Sequence, residues 1–151
     1  MPKFKAEDYK DLATTMSGSV SLSGHYDLGT AENPTIWYVN GDLKTSGNVT
    51  FSGYGIFLVK EKIEIKHDVS MADDDSMIGL YTGKEFKMHK NDIATLRGLI
   101  ISNEAVKIEG DLFLTGSMTA GKKVEVKKDG SLTIRYRRAD PLLTNSIWPM
   151  N

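Results

Sequence analysis

The feature that most constrains this chain is an internal repeat with irregular spacing. Five short stretches recur in similar surroundings: Thr35 to Val39, Gly55 to Val59, Met77 to Tyr81, Gly98 to Ser102 and Gly116 to Ala120. Their starts step by 20, 22, 21 and 18 residues. Each is followed by a second stretch in which apolar residues alternate with Lys and Glu, as in KIEIK around Ile63 and Ile65, EFKMH around Phe86 and Met88, AVKIE around Val106 and Ile108, and KVEVK around Val124 and Val126. Side chains two apart in a strand share a face, so these segments read as strands with one apolar and one wet side. A third stretch completes each unit: Val49 with Phe51, Val69 with Met71, Ile93 with Ala94 to Leu96, Leu112 with Leu114, and Leu132 with Ile134. Gly, Asn, Asp or Ser marks most joints, as at Ser46-Gly47-Asn48, Asn91-Asp92 and Asp129-Gly130.

Three short strands in about 20 residues cannot enclose a core alone, but stacked copies share one. The pattern therefore predicts an all-β fold: a right-handed parallel β-helix of about five three-strand coils over residues 35–138. Residues 1–34 would form an N-terminal segment with a polar partial coil from Ser17 to Leu28 as a cap, and residues 139–151 a C-terminal tail. The motif Gly41-Asp42-Leu43-Lys44-Thr45-Ser46-Gly47 recurs nearly intact at Gly110 to Gly116, in keeping with a repeat. An antiparallel sandwich, whose strands also recur between turns, is the competing architecture.

The first stretch of each unit is apolar at consecutive positions, as in Ile36, Trp37, Tyr38, Val39 and Ile56, Phe57, Leu58, Val59. Strands of that kind are covered on both faces. Three covers are available: a short N-terminal helix, since Phe4, Tyr9, Leu12 and Met16 follow helical spacing around Lys5 to Thr15; the tail bearing Leu142, Leu143, Ile147 and Trp148 after Asp140-Pro141; or a partner subunit. If the outer face instead stays open, Trp37, Tyr38 and Phe57 are the candidate interaction surface.

Composition removes several function classes. There is no cysteine, which excludes disulfides, thiolate metal sites and Cys nucleophiles. Nineteen Lys and Arg against 20 Asp and Glu give a formal charge of −1, with no global field to gather nucleic acid or an anionic membrane. No apolar run approaches the roughly 20 residues of a membrane-spanning helix, and Met1 to Thr15 lacks the apolar core of a signal peptide. His25, His67 and His89 show no metal-ligand spacing, and Asp73-Asp74-Asp75 lacks the pattern of a calcium loop, so solvated turns are the simpler reading. Neither a nucleophile elbow nor a phosphate loop is present; Gly121-Lys122-Lys123 reads as a turn. The acids Glu61, Glu64, Glu85, Glu104, Glu109 and Glu125 alternate with apolar neighbours and point outward, with no pair singled out for glycoside chemistry. Arg135, Arg137 and Arg138 give the last strand a charged edge, which discourages further stacking. The expectation is a non-enzyme with no catalytic residue, cofactor or metal. It would act through protein partners or self-association at the outer apolar sheet or the coil ends, or by binding a surface glycan.

The cadence of Tyr38 to Val59, then Gly98 to Ser102, then Lys122 to Ile134, resembles the C-terminal β-helix domain of PilX-type pilus assembly and other pilin-like envelope proteins. The resemblance covers roughly residues 35–138 and carries no catalytic signature. It implies a structural or adhesive module of a pilus or pseudopilus-like system, located outside the cytoplasm or at the cell surface. Members of that family usually carry an N-terminal hydrophobic anchor helix, which residues 1–151 lack. Either this is the soluble part of a longer chain or it is a stand-alone relative, for which a cytoplasmic location is expected. Stacks of short coils also look like bactofilins, which polymerise end to end; the irregular steps and the charged last strand run against that alternative.

Overall fold

A computed structural model describes residues 13–136 of the chain. They contain fourteen strands and, among the described residues, no helix. Every strand pairing is parallel, and the strands stack as a β-solenoid of about six turns. The antiparallel sandwich is thereby excluded.

Each turn contributes one rung to three sheets. The first sheet stacks β1 (Thr14–Ser17), β3 (Thr35–Asn40), β5 (Tyr54–Val59), β8 (Met77–Thr82) and the second halves of β10 (Ile93–Ser102) and β12 (Asp111–Ala120). The second stacks the start of β2 (Val20–Asp27), the start of β4 (Leu43–Ser52), β6 (Ile63–Ile65), β9 (Phe86–Met88), β11 (Ala105–Ile108) and β13 (Lys123–Val126). The third stacks the ends of β2 and β4, β7 (Val69–Met71), the first halves of β10 and β12, and β14 (Ser131–Tyr136).

The alternation in the second and third stretches builds the interior as expected. One column runs Leu43, Ile63, Phe86, Val106, Val124, and the neighbouring one runs Ile65, Met88, Ile108, Val126. All are buried except Val124 and Val126, which keep the inward register but lie on the last turn with no rung above them among the described residues. From the third sheet, Val49, Val69, Ala94 and Leu112 form a matching column, while Ile93 faces outward. An internal void among Leu22, Phe51, Ile63, Leu80 and Leu96 measures only about 10 Å³, at the lower limit for one water. The interior is packed side chain, not a channel.

Three expectations change. The solenoid begins one strand earlier than the partial coil at Ser17, because Thr14–Ser17 pairs with β3. Thr14 and Thr15 are therefore strand, not the end of a helix; the rest of that helical pattern, and the tail from residue 139, lie outside the described residues. Second, the third repeat is offset by one: Gly55 pairs with Ile78 rather than Met77, so Ile78 points inward and Met77 outward. Third, the two G-D-L motifs are not equivalent. Leu43 opens a second-sheet strand and Leu112 lies on the third sheet, so what recurs is a corner followed by an inward Leu.

The corners hold the stack in register. Asp42 Oδ1 accepts from Lys62 N at 3.0 Å, Asn48 Oδ1 from Asp68 N at 3.1 Å, and Asp68 Oδ1 from Ile93 N at 2.8 Å, each reaching one turn up the stack. Between the third and first sheets, β10 and β12 bend without a loop at Gly98 and Gly116. Both have positive φ (137° and 148°), and a Cβ on Gly98 would lie 1.9 Å from the Ile78 carbonyl oxygen. Only glycine fits such a bend.

Candidate functional site

With the interior filled, any recognition must use the three outer faces or the two ends. The first sheet's outer face carries Tyr38, Ile56, Leu58, Met77, Tyr81, Leu99 and Ile101 as one apolar cluster, with Ala13 packed against it. Ile56, Leu58 and Tyr81 are 0% exposed, so this face is covered, as its two-sided apolar pattern requires.

That placement divides the predicted surface of Trp37, Tyr38 and Phe57. Phe57 is 1% exposed and belongs to the interior, not the outside. Trp37 stands directly beneath it in register and meets its ring edge-on at 5.1 Å. Phe51 lies 5.4 Å from Phe57, and Tyr26 lies 6.0 Å from Trp37, so the four rings form an aromatic core across the first and third sheets. Tyr38 alone points outward, and it is buried. The three residues do not form one surface. A strand that is apolar at every position gives no phase, so Trp37 and Phe57 could not be assigned a face from β3 and β5 alone. The last repeat carries the missing signal: in Gly116 to Ala120 the apolar Met118 and Ala120 alternate with Ser117 and Thr119, and Met118 shares its column with Ile100, Leu80, Phe57 and Trp37.

The second sheet's outer face is charged. Lys44, Glu64, Lys87, Lys107 and Glu125 form one column, and its acids pair locally. Lys84 meets Glu61 at 2.8 Å, which holds the Lys84 pKa above its ordinary value. Lys107 meets Glu85 at 3.2 Å, and Glu125 lies 2.6 Å from Lys127 and 3.3 Å from Lys123. Hydrogen bonds from Lys127 and then Lys123 hold the Glu125 carboxyl below the usual range. Burial acts to raise the Glu64 pKa, but the hydrogen bond to His89 at 3.0 Å and the charges of Lys66, His89 and Lys62 outweigh it, and the net shift is downward. At the adjoining corner burial, and then the Asp68 charge, push Asp92 upward. Of the acids singled out from the sequence, Glu64 and Glu125 point outward from their strands, and both, with Glu61 and Glu85 at the corners, are engaged in ion pairs.

The third sheet's outer face is rich in hydroxyls. At its lower end His25 Nε2 lies 3.1 Å from Asp27 Oδ1 and 3.0 Å from Ser52 Oγ, and Ser52 donates a short hydrogen bond to Asp27. The Ser52 bond, then His25, lowers the Asp27 pKa. In a nucleophilic triad the serine and the acid contact opposite ring nitrogens, so that one nitrogen takes the serine's proton while the acid orients the ring through the other. Here both meet the same nitrogen, and the trio works as a clip between β2 and β4. Asp73 Oδ1 accepts from Asp75 N at 3.0 Å and Ser76 Oγ at 2.8 Å, while Asp74 reaches Arg97 at 3.4 Å. These carboxylates organise the loop that carries them. Among the described residues no group of three or more His, Asp and Glu is placed to hold a metal, and no helix is long and apolar enough to cross a membrane.

The fold and its faces define a parallel β-solenoid with a packed core and three chemically distinct sides: apolar and covered, charged, and hydroxyl-rich. No protein-family model, curated protein or solved structure matches the chain.

Proposed function

We propose that this solenoid is a non-enzymatic structural or adhesion module of a bacterial pilus or pseudopilus-like envelope system. The observation that supports the reading is the division of labour in cross-section. The void among the described interior residues, about 10 Å³, is too small for a substrate, whereas the sides offer long flat faces on a rod of fixed register, the geometry of a spacer or a binding surface. The resemblance of residues 35–138 to pilin-like β-helix domains supplies the envelope context. An antibody against this domain tests it: the endogenous protein is expected in the fraction sheared from the cell surface, and recovery only from the soluble cytosolic fraction would overturn the assignment.

One observation favours a second reading, a bactofilin-like polymer. Val124, Val126, Ile134 and Tyr136, all on the last described turn, are exposed beside strand edges that have no partner among the described residues, and such an end templates further stacking. Purified chain imaged by negative-stain electron microscopy separates the two. Filaments abolished by Val126→Asp would favour the polymer, and dispersed particles at high concentration would reject it.

A further inference from the structure

The third sheet's outer face contains a feature that the repeat alone does not produce. Where β7 passes to β8, residues 72–76 fold as a loop over the strands and leave a groove of about 340 Å³. Its floor presents the hydroxyls of Ser70, Thr95 and Thr115; its walls are Asp73, Asp74 and Arg97. The volume is at the lower end of the range of small-molecule sites, roughly 300–1,000 Å³.

The groove is preformed. Asp73 fixes the loop through its bonds from Asp75 N and Ser76 Oγ, and buried Ser76 accepts in turn from Gly53 N at 2.9 Å. Arg97 is held toward Asp74 across the cleft. Beside the floor Phe113, in register with Thr95, leaves 43% of its surface exposed on the same face. An aromatic ring next to a polar cleft presents an apolar platform that a solvated face does not otherwise need.

The chemistry selects among ligands. The backbone of the floor is committed to pairing with β4, β7 and β12, so an added peptide strand finds no open edge there. Two carboxylates stand in the walls and the one guanidinium already faces one of them, which disfavours phosphate, nucleic acid or an acidic polymer. What remains suited is a neutral molecule with many hydroxyls and an apolar ring face. We propose that this groove binds a neutral glycan chain, with Asp73, Asp74 and Arg97 exchanging hydrogen bonds with sugar hydroxyls and Phe113 stacking on a pyranose ring. The proposal deepens the adhesion half of the function above and rests on it.

The test is calorimetric titration of the full chain with maltohexaose, cellohexaose, fully N-acetylated chitohexaose and a mannan oligosaccharide, with hyaluronan fragments as the acidic comparator. Binding is expected to at least one neutral class, without turnover. Asp74→Ala, at an exposed loop position, and Phe113→Ala are each expected to weaken it by about tenfold or more at unchanged melting temperature. No binding across the neutral panel, binding indifferent to both variants, or tighter binding of hyaluronan would each overturn the proposal. The titration requires no appendage. Binding by a protein confined to the cytosol would contradict only the envelope assignment, and a surface protein that binds no glycan would contradict only the groove.

Discussion

Val106 and Val124 offer the same side chain in the same inward column on adjacent turns, one 0% and the other 47% exposed. Truncation of each to alanine therefore isolates what stacking contributes. Removing two buried carbon groups forfeits about 1.6 kcal/mol at roughly 0.8 kcal/mol each. At position 106 the neighbours Phe86 and Val124 are fixed by their own strands, so a cavity term adds to this and brings the cost to about 2–3 kcal/mol. At position 124 about half the transfer term is already forfeited to water and the open end leaves no closed cavity, so the cost falls below about 1 kcal/mol. Urea unfolding followed by circular dichroism reads both, and an unchanged m-value confirms that the difference lies in stability rather than in the extent of unfolding. Equal losses at the two positions would refute the reasoning, since they would mean that turn six is as enclosed as turn five.

Gly98→Ala should be among the most damaging single-methyl changes in the chain, costing more than about 3 kcal/mol, because a positive φ combines with a Cβ 1.9 Å from the Ile78 carbonyl oxygen. Gly24→Ala, at φ 90° with nothing within 4 Å of the added carbon, should cost only about 1–2 kcal/mol; thermal melts that rank the two the other way would contradict the corner geometry. The depressed Glu64 pKa means that the native state favours the ionised form, so its contribution is complete above the unfolded-state value and is lost as pH falls through the folded one. Glu64→Gln should accordingly lower the melting temperature at pH 7 and converge with wild type in acid; a constant gap would refute the linkage. Asp92 has the opposite sign: its raised pKa means that ionisation opposes folding as pH rises, so Asp92→Asn should stabilise the protein at pH 7 and lose that advantage at low pH, as read by paired melts.

The parts of the fold visible in the sequence are those where one face is wet. Alternation around Ile63, Phe86 and Val106 fixes both the strand and the inward residue, because a one-residue slip would bury Lys and Glu. Where both faces are dry the phase is lost, which is why Trp37 and Phe57 exchange outside for inside and why Ile78, not Met77, aligns with Gly55. The first strand of the first turn is hidden for a different reason. Thr14–Ser17 has no apolar alternation of its own and becomes a strand only because β3 offers it an edge. The groove under the Asp73 to Asp75 loop is not legible in the sequence at all. Asp73 to Asp75 read as a solvated bulge, and only the fold brings that loop over Thr95 and Thr115, which lie about one and two turns further along the stack.

Parallel, in-register stacking of six turns is the central claim, and the lack of native cysteine allows it to be measured cleanly with paired spin labels. Ser21, Lys44, Glu64, Lys87, Lys107 and Glu125 occupy one outward column of the second sheet. At about 4.8 Å per rung, labels at 21 and 107 and labels at 44 and 125 should both report about 19 Å by double electron–electron resonance, and labels at 21 and 125 about 24 Å. Two matching distances and a third longer by one rung are the predicted result. Unequal values for the first two pairs, or a 21 to 125 distance no longer than either, would contradict the solenoid.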